Sequence, residues 1–192
     1  MVSAQPISNE IDYLDLDQKS ERRLELISGK IVAMSGASRN HNHVTLNTAF
    51  LLRNLALSQR CTVTMETVRL RIDAENSFYP DLMVACDENL DSHTENAPCL
   101  IVEVLSPSTS WVDNGRKRLV YLGLKSLRHY LLIDIENRLI EHLHRSNEAQ
   151  PWARQIITEH GVIELTCPNG QLKAADIFEP DPRIAPIHQR TP

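Results

Sequence analysis

Tyr79-Pro80-Asp81-Leu82-Met83-Val84-Ala85-Cys86 and Cys99-Leu100-Ile101-Val102-Glu103-Val104-Leu105 decide how this chain is read. Each is a short apolar run of strand length interrupted by a single acid. An unpaired carboxylate inside an apolar strand is costly, so such a group finds a partner or shifts its pKa. The second run is almost continuously apolar, as a strand covered on both faces would be. Pro107 ends it. One acidic, polar loop over residues 87–97 separates the runs, so the two strands can lie side by side with Asp81 and Glu103 adjacent. Two carboxylates meeting in a low-dielectric cleft repel unless a cation joins them. Hard oxygen ligands of this kind suit Mg²⁺ or Mn²⁺.

Outward from that pair, the pattern changes in an informative order. Residues 22–34 read as two short strands joined at Ser28-Gly29. Residues 42–58 carry Val44, Leu51, Leu52 and Leu55 at helical spacing, with Ser38 or Asn40 available as cap. Residues 61–72 alternate imperfectly, which predicts one long strand with a bulge or bend, and residues 73–77 form a polar turn. Beyond Glu103, residues 112–125 read as a helix with Leu119, Val120 and Leu122 on its apolar side. Residues 129–135 form another apolar strand. A strand–helix–strand unit over residues 99–135 favours a parallel pair. Residues 137–145, 154–160 and 162–167 continue as an antiparallel extension. The expected class is α+β (α/β), a mixed sheet with flanking helices and a C-terminal antiparallel extension.

The chain has 192 residues with 42% hydrophobic content, enough for one globular domain with a real core. We divide it into a flexible start, residues 1–12, a single domain, 13–178, and a Pro-rich tail, 179–192. No basic-plus-apolar leader and no membrane-length apolar run is visible, so a cytoplasmic protein is expected. Cys61, Cys86, Cys99 and Cys167 are far apart and form no CxxC pair. They read as unpaired thiols, neither a disulfide framework nor a zinc cage. A net charge of -5 argues against a strongly basic nucleic-acid surface. It leaves room for a carboxylate site that a divalent ion would neutralise.

The ordered motifs resemble a known group. Tyr79-Pro80-Asp81, a gap, then Ile101-Val102-Glu103-Val104-Leu105 is similar to the PD-(D/E)XK nuclease superfamily. The continuation through Ser106, Pro107, Ser108 and Thr109 to Asp113, Lys117 and Tyr121 resembles one branch of it. That branch is the bacterial restriction-endonuclease-like family expanded in cyanobacteria and long filed as a domain of unknown function. Glu25-Leu26-Ile27-Ser28-Gly29-Lys30, Met34 and His41 fit its N-terminal part. The resemblance runs from about residue 13 to residue 178. It implies metal-dependent hydrolysis of phosphodiester bonds in nucleic acid, DNA first, by a homodimer.

By the same resemblance, Asp81, Glu103 and Glu25 would be metal ligands, with the Val104 carbonyl a further one. The superfamily's lysine two residues after the Glu is Leu105 here, which makes Lys117 the candidate replacement. Asp113, Lys117 and Tyr121 lie four apart and share one helix face. The proposed catalytic set is Asp81, Glu103, Lys117 and Glu25. Other readings stand beside it. Glu25 also fits an outward position on a half-exposed strand, and Lys117 a solvated residue paired with Asp113. His41 and His43 fit ordinary helix-start polarity. His142 and His144 share one strand face and read more simply as structural than as metal ligands. Arg22-Arg23 and Arg116-Lys117-Arg118 fit a solvated face as well as a phosphate contact. The alternative function is a catalytically inactive nuclease fold that serves as a nucleic-acid-binding or regulatory, oligomeric module.

Overall fold

The computed structural model describes residues 10–34, 36–105 and 111–180 of the chain. Most of the expected loose ends, 1–12 and 179–192, falls outside those residues, as do Ser106, Ser108 and Thr109. Helix α1 (Glu10–Lys19) precedes a hairpin of β1 (Leu24–Ile27) and β2 (Lys30–Ala33). Ser28 and Gly29 turn that hairpin, both at positive φ (50° and 73°), as a two-residue turn between right-twisted strands requires. Helix α2 (Arg39–Leu57) follows, then β3 (Thr62–Met65), β4 (Arg69–Arg71), β5 (Ser77–Phe78), β6 (Leu82–Ala85), β7 (Thr94–Glu95) and β8 (Leu100–Leu105). Helix α3 (Trp111–Leu122) leads to β9 (His129–Asp134), β10 (Leu139–His144), β11 (Ala153–Thr158), β12 (Val162–Thr166), β13 (Asn169–Lys173) and α4 (Ala174–Ile177).

The mixed sheet is six-stranded, ordered β11-β10-β9-β8-β6-β3. Its one parallel pair is β8–β9, joined through α3 as the strand–helix–strand pattern predicts. Its two faces carry separate cores. Leu100, Val102, Leu131 and Ile133 pack with Val44 and Leu52 of α2 and with the β12–β13 hairpin. Met83, Ile101, Tyr130 and Leu143 pack with Tyr121 of α3, and with Leu70 and Phe78. Ser38 caps α2, its Oγ accepting from His41 N at 3.1 Å. The helix then buries Val44, Thr48, Leu52 and Ala56 at four-residue spacing.

Four features differ from the sequence reading, the first being that β12 does not continue the extension beyond β11 but pairs with β13 in a separate hairpin. Residues 61–72 do not form one bent strand. The chain turns after Met65, where Val68 N donates to Met65 O at 3.0 Å, and β4 joins a second sheet ordered β2-β1-β5-β4-β7. Helix α1 carries three aspartates in ten residues and little amphipathic signal, yet it is pinned by side chains. Tyr13 OH donates to Leu24 O (2.7 Å), Asp17 Oδ1 accepts from Leu24 N (2.9 Å), and Tyr79 OH donates to Asp17 Oδ2. The cysteines are not separate thiols. Cys61 is bonded to Cys86 and Cys99 to Cys167. Separation in sequence had concealed that β3 runs antiparallel to β6 with Thr62 opposite Ala85, so the next pair outward is Cys61 and Cys86.

Candidate active site

Asp81 ends the approach to β6 and Glu103 lies in β8. These strands pair antiparallel with Leu82 opposite Val102, and one further step in that register sets Asp81 opposite Glu103. Asp81 Oδ2 accepts from the backbone N–H of Val104 at 2.7 Å, which fixes the carboxylate against the neighbouring strand. Glu25 comes from β1 of the second sheet and is 4% exposed, so the outward-facing reading does not hold. Its Oε1 accepts from Tyr79 N at 3.0 Å.

Lys117 of α3 closes the group. Its Nζ lies 2.7 Å from each Glu25 oxygen and 3.9 Å from Glu103 Oε1. One helical turn on, Tyr121 OH donates to Glu103 Oε1 at 2.7 Å. The shared helix face expected for Lys117 and Tyr121 is therefore present; the Asp113 side chain lies outside the described residues. Lys117 also stands 5.7 Å from the Phe78 ring centroid, and that ring meets Tyr121 edge-on at 5.3 Å. Thus one sheet supplies Asp81 and Glu103, the other supplies Glu25, and α3 bridges them with a cation.

The electrostatics follow from this packing. Burial pushes the Glu103 carboxyl up to about 7; Lys117 opposes that shift, while Asp81 and Glu25 add to it. Burial pulls Lys117 down, but Glu103 and Glu25 outweigh it and leave the ammonium above its ordinary value. The result is a protonated lysine beside a carboxyl group that ionises less readily than usual. Lys117 thus serves Glu25 and Glu103, while Asp81 has a separate partner.

His41 is the residue whose position the sequence reading undervalued. It sits in the first turn of α2, 8% exposed, with Nε2 3.3 Å from Asp81 Oδ2. Burial lowers its pKa, but the hydrogen bond and charge of Asp81, with the Val104 backbone and Glu103, raise it above the usual histidine value. The only sequence signal was its place in the motif order. His43 points elsewhere, 2.8 Å from Glu179 O. Arg23 lies over the Tyr79 ring at 5.2 Å and Arg118 pairs with Glu141 at 3.0 Å, so neither is a free basic patch.

His142 and His144 are away from the acids and gain a third member, His129. The ring centroids of His129 and His142 are 5.2 Å apart, and those of His142 and His144 are 4.8 Å apart.

This arrangement of a mixed sheet, a crossover helix and acids on adjacent strands defines a restriction-endonuclease-like fold. A solved structure titled as a putative nuclease belonging to DUF820, from Anabaena variabilis ATCC 29413, shares it. The TM-score is 0.70 over 86% of this chain and 97% of that one, at 18% identity. The chain belongs to the Uma2 family, described as "Putative restriction endonuclease", whose profile matches residues 11–173. Two uncharacterised proteins of Synechocystis sp. (strain ATCC 27184 / PCC 6803 / Kazusa) are each 31% identical to it. One aligns over 86% of this chain and 97% of its own length, the other over 71% and 74%.

Proposed function

We propose that this protein is a divalent-metal-dependent endonuclease that hydrolyses phosphodiester bonds in DNA. The convergence of Glu25, Asp81 and Glu103 around Lys117 carries this reading. Asp81, Glu103 and Glu25 are buried, and their hard carboxylate oxygens are the donor type that suits Mg²⁺ or Mn²⁺. Asp81, Glu103 and Glu25 would hold the ion, with the Val104 carbonyl beside them. When bound, such an ion supplies Lewis-acid polarisation of the phosphate and activation of water.

The chain's own groups do the rest. The Val104 N–H and His41 hold Asp81 Oδ2, which keeps the carboxylate in one orientation. Tyr121 holds Glu103 in the same way. Lys117, kept protonated by its neighbours, offers positive charge to a phosphate oxygen as negative charge develops there. It reaches the acids from α3 and so occupies the role left open by Leu105 in β8. A homodimer goes with this reading. Leu46, Phe50 and Leu57 form an exposed apolar row on α2, 55%, 64% and 65% exposed. Among the described residues no helix is long and apolar enough to cross a membrane.

The test is cleavage of supercoiled DNA with Mg²⁺ or Mn²⁺ and with EDTA. Metal-dependent nicking by the wild type, lost in Asp81→Ala and Glu103→Ala, is the expected result. No cleavage of DNA by folded wild type with either metal would overturn it and favour the binding-only alternative, for which Leu105 at the usual lysine position speaks.

A further inference from the structure

All four cysteines of the chain meet at one end of the six-stranded sheet, remote in sequence from one another and separate from the carboxylate group. Cys61 leads into β3, Cys86 follows β6, Cys99 leads into β8 and Cys167 follows β12. Besides the two bonded pairs, Cys86 Sγ lies 3.8 Å from Cys99 Sγ and 3.3 Å from Cys167 Sγ. The sulfurs of Cys86, Cys99 and Cys167 all lie within 4.8 Å of one another. We propose that in the thiol form Cys61, Cys86, Cys99 and Cys167 bind one Zn²⁺ ion as a tetrathiolate site.

The geometry fits that ion. Tetrahedral zinc holds thiolates at about 2.3 Å, which places neighbouring sulfurs about 3.8 Å apart. Cys86–Cys99 stands at that value and Cys86–Cys167, at 3.3 Å, is shorter; Cys61 lies outside this trio and reaches it through Cys86, its bonded partner. The convergence does not depend on sulfur–sulfur bonds either. The β3–β6 ladder sets Cys61 opposite Cys86, and Cys99 N donates to Val84 O at 2.8 Å, next to Cys86. The Gln59 side chain grips Asn169 from both sides, donating to its carbonyl and accepting from its N–H at 2.8 Å each. That clamp holds the turn before Cys61 against the turn after Cys167. Gly170 permits the approach, since a Cβ there would stand 2.7 Å from Leu55 Cδ2.

The surroundings suit a structural metal. Cys99 is buried, and the other three are half-buried against the same apolar core. Cys86 opens onto a cleft of about 640 Å³ whose wall carries Asp87, Glu88, Asp91 and Glu95, an acidic approach for a cation. Arg60, next to Cys61 in sequence, lines the same cleft and adds one positive charge to it. Binding is a proton exchange. One Zn²⁺ and four S–H groups give four zinc–sulfur bonds and four released protons, and no electron moves. The two disulfides are the oxidised form of the same four sulfurs and exclude the ion.

The test uses the full chain, reduced with a phosphine, desalted without oxygen and titrated with Co²⁺. One equivalent is expected to give thiolate-to-cobalt charge-transfer absorption in the near-ultraviolet and intense bands in the red. Zn²⁺ should bleach both. Cys86→Ser and Cys167→Ser should lose the charge-transfer band, whereas Asp81→Ala should keep it. Where the serine variants do not fold, alkylation of the wild type serves, with all four thiols protected by one equivalent of Zn²⁺. Absence of the band in folded, fully reduced wild type would overturn the proposal. So would a band that survives both serine substitutions, or four thiols alkylated equally fast with and without Zn²⁺. A band lost in Asp81→Ala would place the metal at the carboxylates and overturn it too. None of these outcomes depends on DNA cleavage.

Discussion

Two buried polar clusters lie on opposite faces of the six-stranded sheet and solve the same problem differently. Glu103 shares its face with Ile101, Tyr130 and α3, whereas His129, His142 and His144 share theirs with Leu100 and Leu131. The histidines avoid charge. His129 Nε2 accepts from Thr166 N at 2.9 Å, so the proton sits on Nδ1, which donates to His142 Nε2 at 2.9 Å. Burial and the neighbouring imidazoles pull His129 down to about 3, and burial with His144 pulls His142 down to about 4. Only His142 Nδ1 is left buried without a partner in this group. The acids keep more of their charge: burial raises Glu103 to about 7, but Lys117 stays protonated beside it, and Asp81 and Glu25 accept from backbone N–H groups. A cluster that neutralises itself reads as structure. One that buries several ionisable groups together reads as a site that takes a ligand.

The sharpest break of that contrast removes an acid. Asp81→Ala or Glu103→Gln should lower metal-dependent DNA nicking by about 10²-fold or more, read by gel conversion of supercoiled plasmid. His142→Phe, on the other face, should leave the rate per folded molecule within about twofold. If the histidine substitution abolished nicking and the acid substitutions did not, the two roles would be reversed.

Lys117→Ala tests whether the acids need positive charge. Breaking a buried ion pair from one side costs about 3–5 kcal/mol, and here it leaves Glu25 and Glu103 without their lysine. Urea unfolding should show that loss without metal. Part of it should return with millimolar Mg²⁺, because an ion bound only by the native state stabilises it. A loss that Mg²⁺ does not touch would sink the donor-set reading.

Acid should find the histidine face. His129 and His142 have folded pKa values of about 3 and about 4, below the unfolded value of about 6.5. The unfolded chain therefore binds protons first as pH falls. Stability from keeping these rings neutral is complete above about pH 6.5 and is lost progressively toward pH 4. The loss is at most ~1.4 kcal/mol per pH unit for each ring, or roughly 2–4 °C in Tm per kcal/mol. Thermal melts between pH 7 and 5 should show a slope that shrinks in His142→Phe. An unchanged slope would mean that the stack carries protons in the folded state.

How much of this was visible in the sequence follows from the range of each interaction. Asp81 and Glu103 were legible because an acid inside an apolar strand is a local anomaly. Glu25 and Lys117 needed the motif order, and the vacancy at Leu105 pointed toward α3. His41 gave no local signal, since a histidine near a helix start is ordinary. The partnership of His129 with His142 arises from the β9–β10 register, which sets His129 beside His144. The same holds for the cysteines, brought together by two ladders and a turn clamp that no spacing rule encodes. The second sheet was hidden because the break after Met65 rests on one turn inside an alternating run.

The smallest expected effect compares one hydrogen bond from each face. Tyr121→Phe removes the donor to Glu103 Oε1, whose remaining described neighbour, Lys117, stands at 3.9 Å. Losing a bond to a buried carboxylate costs roughly 1–3 kcal/mol. Because Tyr121 orients a proposed ligand, nicking should also fall, by about tenfold. Thr166→Val removes the hydroxyl 2.8 Å from His129 Nε2, but the Thr166 N–H still donates to the same nitrogen. Its cost should stay below ~1 kcal/mol with nicking unchanged. Paired melts and rate assays of the two variants read the difference. If Thr166→Val cost as much as Tyr121→Phe, the backbone donor would not be holding the tautomer, and the neutral account of the histidine face would fall with it.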